Sequence, residues 1–337
     1  MPEAPPAGRV RTAHPLLIAY SAPLGSRLRA CVDSCIPFSK RSGTTDRQRG
    51  PGMVHASLSA GLSQLGMSFV AGGAIGAGAD RVGLLSGLSL LRQAVAAKRK
   101  GRIRCLLAGP NVLVTPLEAG GILLSPEIDR VVTPSRWVSD IYVQLAPALA
   151  GKVVEWPAGV DTEYWQPDAG TPRHLRRGWL VYDKCGSAYA GLLRSVIAML
   201  DLRGQQYHVV RYGQYRRPDY RSLLRTVRGA IVLSPSESQG IAQFEAWACD
   251  TPTLVWDRHR WEYGGMVFDG PNISSSPYLS PACGIRFSDA ADSADRFDEF
   301  AESLDRFSPR DYVLGRFTLP AAAAAYCCLF DEACLLT

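Results

Sequence analysis

The sequence predicts an α/β protein built from two successive doubly wound parallel-sheet halves. Three observations lead there. The chain has 337 residues, more than a single domain usually holds and enough for two of roughly 150. Hydrophobic residues make up 47% and charged residues 20%, the usage of an ordinary globular core, which excludes disordered, collagen-like and coiled-coil chains. Short apolar runs alternate with helix-period stretches from Gly50 onward, and the alternation stops at Trp156–Gly170 and restarts after it. Apolar strands alternating with helices indicate parallel sheets covered on both faces.

Residues 1–49 form a basic segment of weak periodicity, an extension or part of the first domain, with one candidate strand at Pro15–Tyr20 (PLLIAY). Gly50-Pro51-Gly52 then precede a helix, because Met53–Leu65 places Val54, Leu58, Leu62 and Leu65 on one face. Met67–Ala71 reads as a strand and Leu84–Lys98 as a helix ending in a basic run. Ile103–Leu107 reads as a buried strand followed by the turn Gly109-Pro110-Asn111. Arg130–Thr133 is a short strand, and Ser135 is placed to cap a helix running through Leu145. Val153–Trp156 closes a first domain of residues 50–156.

Residues 157–170 lack periodicity and are rich in Pro, Gly and Asp, the composition of a linker. Alternation restarts with strands at Gly178–Tyr182, Tyr207–Tyr212, Ala230–Leu233 and Thr253–Trp256. Helices fall between them at Ala188–Leu200, Asp219–Val227 and Ile241–Cys249. Asp257–Phe287 has no clear period, and a loop of that length in a compact domain is usually functional or disordered. An acidic helix lies within Asp289–Asp305, and Ser308-Pro309 opens another with Pro at its first position. The second domain therefore spans residues 171–317, and 318–337 form an Ala-rich C-terminal helix.

The net charge is +6, and residues 1–50 carry five of those charges. The body is close to neutral, so composition does not point to nucleic acid. The basic head reads as a solvated extension, with weak contact to anionic lipid as the alternative. The seven arginines within Arg203–Arg228 likewise read as a solvated face. No run of about 18 uncharged apolar residues is present and the N-terminus lacks a signal-peptide core. Nine cysteines include no C-x-x-C pair; Cys31 and Cys35 form C-x3-C with no nearby second pair to complete a zinc site, and Cys105, Cys249 and Cys283 read as small buried hydrophobes, which points to a reducing compartment. The expectation is a cytoplasmic protein, at most peripheral to the inner face of the membrane, with no metal site. Dinucleotide, P-loop, H-E-x-x-H and G-x-S-x-G motifs are absent.

The stretch that carries chemistry is Ser234–Asp257, SPSESQGIAQFEAWACDTPTLVWD. It reads strand end, Gly-containing turn, helix, strand. In an open parallel sheet, ligands bind beyond the carboxyl ends of strands, so this turn should line a cleft. Gly240 permits close backbone approach, and the first N–H groups of the next helix, with its dipole, favour a phosphate. At 1.5 Å rise per residue, Glu245 lies roughly 6–7 Å beyond that end, which suits a carboxylate accepting from a ribose diol. Glu237 then faces a sugar. On the residues alone, a local capping or pairing role for Glu245 and an exposed Glu237 remain open. Trp256, Trp261 and Tyr263 are candidates for stacking on sugar rings, or for loop packing.

The spacing Glu237-x7-Glu245, with Gly240 between and Ala246, Ala248 and Thr251-Pro252 after, resembles the E-x7-E signature of retaining GT-B glycosyltransferases of the family 4 (group 1) type. VTPSRWV at Val132–Val138, PAGVD at Pro157–Asp161 and Gly50-Pro51-Gly52 resemble further landmarks of that family, so the likeness runs from Gly50 to the end. The resemblance implies a GT-B fold, two facing Rossmann-like domains with a cleft between them. It implies transfer of a sugar from a nucleotide-diphospho-sugar with retained configuration, to a glycan, lipid or small-molecule acceptor. No cofactor and no metal are implied beyond that co-substrate. Carried onto this chain, Glu245 holds the ribose, and Glu237 with Gln239, Gly240 and Ile241 holds sugar and phosphate. Lys184 stabilises charge on the leaving diphosphate. Arg211 is a second basic candidate, and Gly50 and Gly52 stand for the family's first-domain glycine loop at the donor. Asn111, Trp256 and Trp261 are the acceptor-side candidates.

Three departures stand out. Asp250 replaces a glycine, and the family's R-x4-K pair is reduced to Lys184. No first-domain histidine fits the family's sugar-contacting position: His14 lies too early, and His55 lies in a helix where a surface or packing role is expected. Gly109-Pro110-Asn111 occupies the equivalent place. These departures keep two rivals in view, a catalytically silent binding or scaffold protein and a sugar-nucleotide epimerase or hydrolase on the same fold.

Overall fold

The computed structural model describes residues 16–20, 50–72, 75 and 78–335. The first sheet contains β1 (Leu16–Tyr20), β2 (Phe69–Gly72), β3 (Arg81–Ser86), β4 (Cys105–Ala108), β5 (Arg130–Thr133) and β6 (Val153–Glu155). All its pairings are parallel, in the order β2-β1-β3-β4-β5-β6. Side chains alternate across a strand, so one LLIAY run serves two cores. Leu16 and Ile18 join a cluster with Val54, Leu58 and Leu62 of α1 (Gly50–Gln64). Leu17 and Ala19 join one with Leu91, Ala94 and Val95 of α2 (Leu88–Arg99). Helix α3 (Arg136–Leu145) follows β5.

Two expectations are corrected here. Leu84–Lys98 is not one helix: Arg81–Ser86 is a fully buried strand beside β1, Gly87 at φ 110° turns the chain, and the helix begins at Leu88. A continuous apolar run fits a buried parallel strand as well as a buried helix. Gly50-Pro51-Gly52 form the first turn of α1 rather than a loop before it. The first sheet also reaches back to Leu16, ahead of residue 50. The rest of the basic head, with His14, Cys31 and Cys35, lies outside the described residues.

The second half holds β7 (Trp179–Asp183), β8 (Tyr207–Arg211), β9 (Gly229–Leu233), β10 (Thr253–Trp256), β11 (Arg260–Tyr263), β12 (Met266–Asp269) and β13 (Gly284–Phe287). Five of them form a parallel sheet in the order β13-β10-β9-β7-β8. Helices α4 (Ala190–Leu202) and α7 (Ser293–Glu302) cover the face carrying Trp179, Val181 and Ile231. Helices α5 (Arg217–Leu224), α6 (Ile241–Ala248) and α8 (Pro309–Leu314) cover the opposite face, with Leu180, Tyr182 and Val232. Asp257–Phe287 is more ordered than its sequence indicates. It contains the antiparallel β11–β12 hairpin, turned at Gly264-Gly265 with φ of 57° and 80°, and it ends in β13. Left-handed glycines at both central positions give the twist a two-residue hairpin needs.

Helix α9 (Leu319–Leu335) leaves the second domain and docks on the first. Ala322, Ala323, Tyr326 and Phe330 enter the α1-side core, and the Trp156 indole donates to the Ala322 carbonyl at 2.8 Å. Its alanines have a physical reason: a Cβ on Gly61 of α1 would lie 2.2 Å from the Leu319 carbonyl, so only small residues fit this contact. Residues 157–170 pack closely too. Ser57 Oγ donates to the Gly159 carbonyl, Val160 bridges to Thr318, and Trp165 is fully buried in the second core. Among the described residues no helix is long and apolar enough to cross a membrane.

Candidate active site

The site gathers at the carboxyl edge of the second sheet. The buried strand β7 (WLVYD) delivers Lys184 to that edge, where its backbone N–H donates to the Leu233 carbonyl at 2.8 Å. The loop after β9 brings Glu237 to meet it. Lys184 Nζ lies 2.9 Å from Glu237 Oε1 and 3.1 Å from Oε2, and 4.8 Å above the Tyr212 ring. The Ser234 hydroxyl also donates to Glu237 Oε1 at 3.0 Å. The Lys184 side chain is 30% exposed and that of Glu237 14%, so the pair is partly desolvated yet reachable. Such a pair can exchange partners: a phosphate can take the ammonium, and the carboxylate can accept sugar hydroxyls.

Gly240 caps α6 in the left-handed region, at φ 83°. Glu245, one turn further on, is 3% exposed, and Arg217 Nη2 donates to its Oε1 at 2.9 Å. Burial pushes the Glu245 carboxyl up to about 7, with Arg217 acting in the opposite direction. The Arg217 guanidinium in turn lies 5.2 Å above the Trp165 ring. A local partner for Glu245 therefore exists. It belongs to α5, and its pairing with residue 245 has no signal in the sequence. Arg211 lies at the end of β8, largely exposed, with Nε 3.7 Å from Asp183 Oδ2.

Other candidates take different places. Gln239 is buried, and its amide donates to the Ala158 carbonyl at 2.8 Å and accepts from the Ala158 N–H at 3.1 Å. Ile241 packs against the first-domain core that holds Val132, Trp156 and Ala158. Both fasten the turn to the first domain. Trp256 is a core residue, edge-on to Tyr189 at 5.1 Å with its indole bonded to the Ser288 carbonyl, and offers no sugar platform. Trp261 packs its hairpin onto α3, 5.8 Å from Trp137 and 5.6 Å from Phe268, and stays partly exposed.

The candidates of the first-domain edge are neutral, while Glu155 at the end of β6 and Arg136 at the start of α3 bring charge to the same edge. Among the described residues no atom lies within 4 Å of where a Cβ on Gly50 would be, and Gly52 shares the same helical turn. Asn111 follows a cis Gly109–Pro110 bond and donates its backbone N–H to the Leu85 carbonyl, while its buried Nδ2 has no protein partner among the described residues. His55 stacks on Tyr20 at 5.0 Å, and burial lowers its pKa. Ser135 occupies the N-cap position of α3, but its buried hydroxyl makes no cap bond.

Sequence reasoning missed two residues that cross between domains. The Trp137 indole, within the VTPSRWV stretch, donates to the Glu237 carbonyl at 2.9 Å. The Tyr278 hydroxyl, from within the stretch that lacks periodicity, lies 2.8 Å from the Pro134 carbonyl and 2.7 Å from Glu155 Oε1, both acceptors for its one proton. Among the described residues no group of three or more His, Cys, Asp or Glu side chains is arranged to hold a metal ion.

No family model matches the chain, and no curated protein matches it. Solved structures do. AviGT4, a glycosyltransferase involved in avilamycin A biosynthesis, is 12% identical over 96% of this chain and 98% of its own, with a TM-score of 0.57. HepE of Anabaena, in complex with UDP and glucose, is 10% identical over 93% and 98%, with a TM-score of 0.55. The sucrose-phosphate synthase of Thermosynechococcus elongatus is 14% identical over 85% and 78%, with a TM-score of 0.53. With its two all-parallel α/β sheets, the chain has the GT-B fold.

Proposed function

We propose that this protein is a glycosyltransferase that takes a sugar from a nucleotide-diphospho-sugar and passes it, with retained anomeric configuration, to a hydroxyl of a glycan, lipid or small-molecule acceptor. The observation that carries this reading is the Lys184–Glu237 pair at a strand-end turn of a GT-B fold. In the proposed mechanism Lys184 transfers its interaction from Glu237 to the leaving diphosphate, whose charge rises towards the transition state. Glu237, released, accepts hydroxyls of the transferred sugar. Phosphate oxygens meet the first N–H groups of α6, and the ribose diol meets Glu245. The HepE structure carries UDP and glucose, which places UDP-sugars first among the donors to test.

The test is turnover of UDP-sugars by the purified protein, read as nucleoside diphosphate release and as the anomeric coupling constants of the product. Release with retention supports the proposal; inversion removes the mechanism. A binding-only reading also has an observation in its favour, the Arg217 partner already on Glu245. Tight nucleotide binding without turnover of any nucleotide sugar establishes that reading. Free or isomerised sugar in the absence of an acceptor identifies a hydrolase or epimerase.

A further inference from the structure

Glu237 belongs to the second domain, yet one of its ties comes from the first. Residues 234–240 contain no helix or strand, so side-chain and backbone bonds set the direction of its carboxylate. The Glu237 N–H donates to the Ser274 carbonyl at 3.2 Å, and Ser274 is itself bonded to the buried Asp257. The carboxylate accepts from Ser234 and Lys184. The carbonyl accepts from the Trp137 indole at 2.9 Å. Trp137 is the second residue of α3 and only 4% exposed. It is held in one buried cluster with Ile141 of the same helix and Ile273 of the second domain, against which Trp261 and Phe268 pack. This bond can form only while the two domains are docked.

We propose that Trp137 is a positioning residue for Glu237: by fixing the Glu237 carbonyl it aims the carboxylate at Lys184, so the second-domain site is complete only when the first domain is in place. The effect on turnover rests on the role proposed above for Glu237; the effect on the loop does not.

Trp137→Phe in the full chain keeps an aromatic ring in the cluster and removes the N–H. The turnover number is expected to fall about fivefold to tenfold, the worth of one neutral hydrogen bond. The KM for donor and the affinity for UDP should stay within about twofold, because the rest of the donor site is untouched. Amide hydrogen exchange at Glu237 should speed up by a similar factor. Ile141→Val trims the same cluster and leaves the indole N–H in place, so exchange at Glu237 and the turnover number should stay near wild type. If both variants behave alike, the effect is general packing and the proposal is overturned. Unchanged Glu237 exchange in Trp137→Phe overturns it as well, even if wild type turns over no nucleotide sugar, a result that removes only the proposed function. Should the phenylalanine variant fail to fold, benzothienylalanine at position 137 exchanges the N–H for sulfur at constant shape and gives the same readouts.

Discussion

At the carboxyl edge of the second sheet, Lys184 meets Glu237 and Arg217 meets Glu245, whereas at the first sheet, beside the charged Glu155 and Arg136, the candidates Asn111, Ser135 and His55 are neutral groups with polar atoms that find no protein partner among the described residues. Charges taken out of water must be paired, because an unpaired buried ion costs several kcal/mol. A neutral buried polar atom without a partner costs less, about 1–3 kcal/mol. Paired charges can be held ready for a charged ligand and exchange partners when it arrives. Neutral groups suit a ligand that brings hydroxyls. The contrast fits a diphosphate-bearing donor on one side and a hydroxyl-bearing acceptor on the other.

The largest effects should come from the charged side. Lys184→Ala and Glu237→Ala are each expected to lower kcat by about 100- to 1000-fold, roughly 3–4 kcal/mol, with a smaller change in donor KM. Lys184→Arg should recover part of the loss, since a planar guanidinium replaces a point charge imperfectly. Steady-state kinetics with a saturating acceptor measure both. An equal loss in Asn111→Ala would break the contrast between the two edges.

Glu245 comes next. Glu245→Ala should weaken nucleotide binding roughly tenfold to hundredfold, as hydrogen bonds to a charged acceptor are lost, and calorimetric titration reads it. The same carboxyl also shapes stability. Its value rises from 4.5 to about 7 on folding, so the folded state holds the proton more tightly. Its stabilising contribution is complete below pH 4.5 and disappears as pH climbs towards 7, by about 1.4 kcal/mol for each unit between the two values. Denaturant unfolding of wild type should lose stability across that window relative to Glu245→Gln, which has nothing to titrate. Parallel curves would show that Arg217 keeps the carboxylate ionised throughout.

A smaller change belongs to the neutral side. Gly61→Ala forces a Cβ into the Leu319 carbonyl and should cost about 1–3 kcal/mol by pushing α9 off α1. The midpoint of thermal unfolding reports it, while UDP affinity should hold. The smallest effect is expected from chelation: turnover should be the same with and without EDTA, because Lys184 and the start of α6 are proposed to neutralise the diphosphate. Activity lost with EDTA and restored by magnesium would contradict this.

What was legible in the sequence follows from how local each signal is. Lys184, Gly240 and the Glu237-x7-Glu245 spacing lie on strand ends and one short helix, where a few residues set the geometry, and the structure places Lys184 on Glu237. Arg81–Ser86 was not legible as a strand, because a strand buried on both faces shows no alternation. The β11–β12 hairpin carried its signal, Gly264-Gly265 between two aromatic-rich runs, but the long irregular stretch around it hid the pattern. The partners of Glu245, Gln239 and Trp137 lie 28, 81 and 100 residues away, and no period or motif links residues at such separations. The destination of α9 was hidden for the same reason, since an Ala-rich run states its size but not the helix it will meet.

The central claim is that the charged edge of the second domain receives the nucleoside diphosphate. Calorimetric titration of UDP and of other nucleoside diphosphates into wild type, Glu245→Ala and Asn111→Ala tests it most directly. The account predicts binding by wild type without added metal, an affinity at least about tenfold weaker in Glu245→Ala, and no change in Asn111→Ala. Wild-type affinity in a folded Glu245→Ala, or no binding of any nucleoside diphosphate by wild type, would contradict it.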